Sequence, residues 1–189
     1  MTNRFPAPVR EGTLYHFMNN IEKVLINDEW LMRLFAYKPK GFDEEKQIVL
    51  LDPLDEKLPD VVNNSKEYWA LVNDRIRKGD KRTDKSEDSK CIMYIQEGKD
   101  RSKFGNAFIV DQEVLISILI HENYETDWRM SRIRDRVFDL LIHKNQMAGF
   151  GMFEYVGADP REAPKSFRRM DYRFKFTNNK SQAGRKVWS

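Results

Sequence analysis

The chain has 189 residues, a mass of 22.5 kDa and a formal net charge of +3 drawn from 33 basic and 30 acidic residues. That length holds one domain with a real core and extensions rather than two domains, and the small excess of positive charge does not by itself signal nucleic acid. At 40% hydrophobic and 33% charged residues, no apolar run approaches the roughly 20 residues of a membrane helix, and "MTNRFPAPVREG" lacks the apolar centre of a signal peptide, so a cytoplasmic setting without membrane contact is expected.

Residues 1–12 read as an N-terminal extension, 13–177 as a single domain and 178–189 as a flexible basic C-terminal arm. The segment "TLYHFMNNIEKVLINDEWLMRLFAY" places Leu14, Phe17, Met18, Ile21, Val24, Leu25, Leu31, Leu34 and Phe35 three and four apart. This predicts one amphipathic helix, capped by Thr13 and ended by Pro39 and Gly41. "FDEEKQIVLLDPLDEKLPD" reads as an irregular connector with at most one short strand. "SKEYWALVNDRIRKG" predicts a second, shorter helix, capped by Ser65, stopped by Gly79, with Tyr68 or Trp69, Val72 and Ile76 on its apolar stripe.

Residues 79–90, "GDKRTDKSEDSK", have no large apolar residue and are expected to be a solvated, mobile charged loop. A strand "CIMYIQE" and a turn "GKDRSKFGN" follow. Next, "AFIVDQEVLISILIH" predicts a strand with Val114, Ile116, Ile118 and Ile120 on one face, while Leu115 and Leu119 suggest partial cover on the other. Single Cys91 excludes an internal disulfide and a multi-cysteine zinc site.

Between His121 and Trp128 the hydrophobic period changes from two to 3.6. Asp127 or Thr126 is placed to cap a helix whose apolar positions are Met130, Ile133, Val137, Phe138, Leu140 and Leu141. Its arginines then fall mostly on the outer face, in mixed pairs such as Arg132 with Asp135. His121, Glu122 and Asp127 match no recognised metal-ligand spacing, so a strand-end histidine is preferred over a metal or general-base site.

Two further strands close the domain. "FGMFEYVG" follows a glycine turn, and "RMDYRFKFT" alternates Met170, Tyr172, Phe174 and Phe176 against Arg169, Asp171, Arg173 and Lys175. The expected fold is α+β, with a largely antiparallel sheet of about four strands packed against helices on one face. No phosphate-binding, zincin, hydrolase-elbow or calcium-loop motif is present, so no catalytic, metal or cofactor residue is assigned.

Two rivals use other residues. A single-stranded nucleic-acid module would use Arg168, Arg169, Arg173 and Lys175 with the neighbouring aromatics, although burial of those rings in the core is preferred. A metal-dependent hydrolase would have to gather Asp111, Glu113, Glu122 and Asp139.

A helix running into "LMRLFAY", a strand ending "ILIHENYETDWR", the helix "SRIRDRVFDLLIHK" and the strand "MDYRFKF" together resemble the tail terminator, or tail-to-head joining, proteins of tailed bacteriophages. The resemblance covers Thr13 to Phe35 and Ala107 to Thr177. It implies a virion protein of the neck, assembled in the host cytoplasm as a hexameric ring. Such a ring caps the tail tube, meets the head connector, and lets genomic DNA pass without sequence-specific contact. It implies no catalysis and no cofactor, and a connector adaptor or stopper is the near alternative. From the residues alone, the expected subunit and partner contacts are Arg129, Arg132, Arg136, Arg161, Lys165, Arg185, Lys186 and Trp188, with long polar loops beside them.

Overall fold

In the computed structural model the described residues are 13–79, 89–103, 106–143 and 153–179. The first amphipathic pattern makes two helices, not one: α1, Thr13–Ile26, and α2, Glu29–Ala36. Asp28 makes the break, because it adopts extended backbone and its carboxylate accepts the Leu31 amide at 2.8 Å. That is an N-cap inside a continuous apolar pattern. Thr13 is already helical, so the cap of α1 falls outside the described residues.

The connector is more ordered than its composition suggests. Strands β1, Gly41–Asp43, and β2, Ile48–Leu50, form an antiparallel hairpin with Phe42 opposite Val49. The chain after it lies along α2, fastened by Arg33, which is 7% exposed. Arg33 donates to the Asp55 and Leu58 carbonyls, each at 2.8 Å, and to Glu29 at 2.7 Å. Glu29 in turn accepts the Val61 and Val62 amides, each at 2.8 Å.

Helix α3, Lys66–Arg75, is capped by Ser65 as expected. It ends before Ile76, and Ile76–Lys78 becomes strand β3. Gly79 then takes the left-handed φ of 76° that glycine tolerates. Strands β4, Cys91–Lys103, and β5, Asn106–His121, are long, so most of the expected turn at "GKDRSKFGN" is strand. A 3-10 helix, Glu122–Asp127, leads into α4, Arg129–Phe138, and a π-helical turn, Asp139–His143. Strands β6, Phe153–Arg161, and β7, Phe167–Asn179, follow.

The main sheet has five strands in the order β3-β4-β5-β7-β6, and β3 runs parallel to β4. The expectation of about four largely antiparallel strands is corrected to a mixed sheet. The extra strand comes from a segment whose buried Ile76 also fits a helical stripe.

The helices cover one face. Val114, Ile116, Ile118 and Ile120 of β5, with Phe174 and Phe176 of β7, pack against Phe17, Leu25, Leu34 and Ile133 of the helices. Phe17 stacks on Phe176 with ring centroids 3.6 Å apart, and Phe153 on Phe174 at 5.1 Å. A smaller cluster on the opposite face joins Ile92, Tyr94 and Leu119 to Ala163 and Phe167. Cover on both sides therefore reaches Leu119, while Leu115 is only half-buried. No helix among the described residues is long and apolar enough to cross a membrane.

The register of β4 against β5 shifts between Glu97 and Asp100. A Cβ on Gly98 would lie 2.6 Å from the Glu113 Cβ, closer than two carbons can pack. Gly98→Ala is therefore expected to cost roughly 2 kcal/mol, the scale of an overpacked site, read as a lower urea midpoint at unchanged slope.

Candidate interaction surface

Four arginines of α4 set the geometry of the helical layer. Arg129 is fully buried. It donates to the Asp127 carboxylate at 2.7 Å and to the Tyr37 carbonyl at 2.9 Å, and also reaches the Leu34 carbonyl. Its guanidinium carbon lies 5.2 Å from the Tyr124 ring centroid. The expectation that Arg129 contacts a partner is thus corrected, since it ties α4 to the end of α2. The Asp127 carboxylate is occupied by this arginine and caps no helix, contrary to the expected cap; nor does Thr126, because Trp128 stands at the start of α4 without a side-chain cap.

One turn on, Arg132 forks onto Asp52 at 2.6 and 2.9 Å and also reaches Asp127 at 3.3 Å. A further turn on, Arg136 forks onto Asp28 at 2.6 and 2.8 Å and meets Asp139 at 2.8 Å. Three carboxylates outside the helix, or at its entry, therefore draw the arginines inward, whereas the sequence pattern suggested an outer charged face with Arg132 paired to Asp135. Arg134, the fourth, does pair with Asp135, at 2.6 Å. Asp52 anchors the chain just after the β1–β2 hairpin, and Asp28 is the cap of α2. The clamps thus hold the hairpin, α2 and α4 together.

The Arg132 guanidinium, hydrogen-bonded to Asp52, holds that carboxyl below the usual carboxylate range. A depressed folded pKa contributes stability above the unfolded value near 3.9, and the contribution is lost as pH falls through the folded value. Asp52→Asn should be less stable than the parent at pH 7 by on the order of 1 kcal/mol, as befits a partly exposed pair. Chemical denaturation from pH 7 down to pH 2 should show the difference shrinking below about pH 4.

Around the clamps stand large exposed side chains that the sequence reading did not single out. Trp128 is 75% exposed and Trp30 56%, with Phe42 and Val49 of the hairpin also exposed. The Arg136 guanidinium lies 5.1 Å from the Trp30 ring centroid. Trp128, Arg132 and Arg136 are four apart, so they follow one stripe of α4. Trp128 itself has φ 58° and ψ 36°, a left-handed conformation that is a steric outlier for a bulky side chain. Strain of this kind concentrates at functional positions, and nothing in a single sequence marks it.

The remaining expected contacts are scattered. Arg161 is half-exposed, 3.3 Å from Asp171, and Lys165 is exposed. Arg185, Lys186 and Trp188 lie outside the described residues, as does most of the 79–90 loop. The His121 Nδ1 accepts the Asn123 amide at 3.2 Å, while Asp127 is held by Arg129, so the pair does not converge. Among the described residues no three His, Cys, Asp or Glu side chains gather where they could hold a metal ion. The Cys91 thiol is buried and its pKa is pushed up to about 12 by that burial.

The aromatics of "KSFRRMDYRFKF" do not form a stacking surface. Tyr172, Phe174 and Phe176 are buried in the core. On the other face Arg173 pairs with Asp159 at 3.2 Å and Lys175 with Glu154 at 3.0 Å.

Fold and surface together define a small α+β domain whose helical layer is locked by internal ion pairs and edged by exposed aromatics. The chain belongs to the YomW family, a phage-related family whose model matches residues 28–177. No curated protein matches the sequence. Among solved structures, a chain described as "Virion of native gene transfer agent (GTA) particle" is similar at 17% identity and a TM-score of 0.36, over 57% of this chain and 81% of that one. That likeness is too slight to set either fold or role.

Proposed function

We propose that the chain is a structural protein of a tailed-phage virion, acting at the neck as a tail terminator. It assembles as a ring of about six copies, as closed cyclic symmetry permits. The ring sits on the end of the tail tube and offers its other face to the head connector, with the genome passing through the lumen. No catalytic step and no cofactor is assigned to it.

The observation that carries this reading is membership of a phage-related family over residues 28–177. The surface supports it physically. Exposed tryptophans beside arginines are the residue types that dominate protein interfaces, and the ion-pair clamps beneath them keep that surface rigid, which limits the ordering cost of association.

The test is light scattering of the purified chain, with electron micrographs, alone and with tail-tube protein and connector. Rings seated on tube ends are the expected result. Rings that bind only the connector would favour an adaptor or stopper, and failure to associate with either would sink the neck assignment.

A further inference from the structure

Between α2 and α3 the chain makes a detour that the core scarcely holds. Residues 41–64, the β1–β2 hairpin and the stretch after it, bury only Asp43 and Pro53. Leu54, Val61 and Val62 rest against the core partly buried. The hairpin is a separate two-stranded sheet that pairs with no strand of the main one, and Phe42, Ile48 and Val49 on it are exposed.

Polar contacts do most of the fastening. Along α2, Arg33 holds the Asp55 and Leu58 carbonyls and Glu29 the Val61 and Val62 amides, all at 2.8 Å. The Tyr37 hydroxyl donates to the Pro59 carbonyl at 2.7 Å. Arg132 of α4 holds Asp52 at 2.6 Å, and Lys38 holds Asp43 at 3.1 Å with 55% of the lysine side chain exposed. Partly exposed ion pairs add little to stability. A lone two-stranded hairpin has little of its own, and a segment that buries little apolar surface opens at lower free energy than the core beneath it.

The ends are placed to turn. Tyr37 is already extended at the close of α2, and Asn64 takes a left-handed φ of 56° beside Ser65, whose side chain starts α3. Neither helix has to unwind for the segment between them to move. The deeper clamps, Arg129 on Asp127 and Arg136 on Asp28, use no residue of 41–64 and stay closed when it does.

We infer that residues 41–64 are a strap that lifts from the helical layer as one unit while the main sheet and the helices stay folded. Lifting bares Glu29 and Arg33, which together grip two amides and two carbonyls whatever side chains those residues carry. The strap therefore gates a surface on α2 suited to extended main chain.

Residue-resolved amide hydrogen exchange of the purified chain tests this, in a guanidinium series below the unfolding transition. The reporters are Leu54, whose amide donates to Asp52 at one end of the strap, and Val61 and Val62 at the other. Their reference is Ile116 and Ile118, which pair with β4 on one side and β7 on the other. The three strap amides should share one protection factor, at least about tenfold below the reference, and it should change little with denaturant because little surface is exposed. In Arg132→Met, which cuts the clamp at Asp52 only, all three should exchange faster by the same factor. Strap amides with the protection and denaturant dependence of Ile116 and Ile118 would overturn the inference, since the segment would then open only with the whole molecule. Acceleration of Leu54 without Val61 and Val62 would overturn it too, since the two ends would then move separately. The wild-type series decides the first point even if the variant does not fold.

Discussion

Arg129→Met is expected to lower unfolding stability by about 4 kcal/mol, within the range for breaking a buried ion pair from one side. The substitution fills most of the space but removes every donor. The Asp127 carboxylate, only 11% exposed on its side chain, loses its closest cation. The Leu34 and Tyr37 carbonyls lose the guanidinium that satisfies them where α2 ends, and an unsatisfied buried acceptor costs about 1 to 3 kcal/mol. Because the same guanidinium joins α4 to α2, the loss should show as a lower denaturant midpoint and as faster amide exchange in α2. A midpoint within about 0.5 kcal/mol of wild type, the range of an ordinary surface change, would show that the arginine is not the tie described.

Phe174→Ala is expected to cost about 4 kcal/mol, in the range for large-to-small changes in a closed core. Phe174 is fully buried near the middle of β7. Its ring stacks on Phe153 at 5.1 Å and meets the edge of Phe138 at 5.4 Å. Removing it therefore opens a void where β6, β7 and the end of α4 meet, and surrounding strands held in register cannot collapse into it. Thermal denaturation should show the loss. Phe174→Leu should recover a large part of it, because most of the volume returns.

Much of this core was legible in the sequence. The alternation of β5 and β7 assigned Ile116, Ile118, Phe174 and Phe176 to the buried face, because a period of two leaves little choice of side once one face is apolar. Ser65 marked the start of α3 for an equally local reason. The break at Asp28 was harder to see, since the apolar spacing runs through it without interruption and only the cap geometry separates α1 from α2. Ile76 suits a helical stripe and a buried strand equally well, and pairing with distant β4 decided between them.

The surface was less legible, for a physical reason. Arginines four apart on an amphipathic helix read as a solvated face unless their partners are known, and those partners, Asp28 and Asp52, come from segments some eighty to a hundred residues earlier. What the sequence does not show is the part these arginines play inside the chain: Arg129 lies in the interior, and Arg132 and Arg136 clamp Asp52 and Asp28. Trp128 is exposed, and its left-handed backbone falls at the junction of the 3-10 helix with α4.

A structural role at the phage neck is open to cryo-electron microscopy and mass spectrometry of purified tailed particles from a phage that encodes this chain. The chain is expected in intact virions at a few copies each, as a ring of density between the top of the tail tube and the head connector. Intact, infectious particles that lack the chain would contradict it.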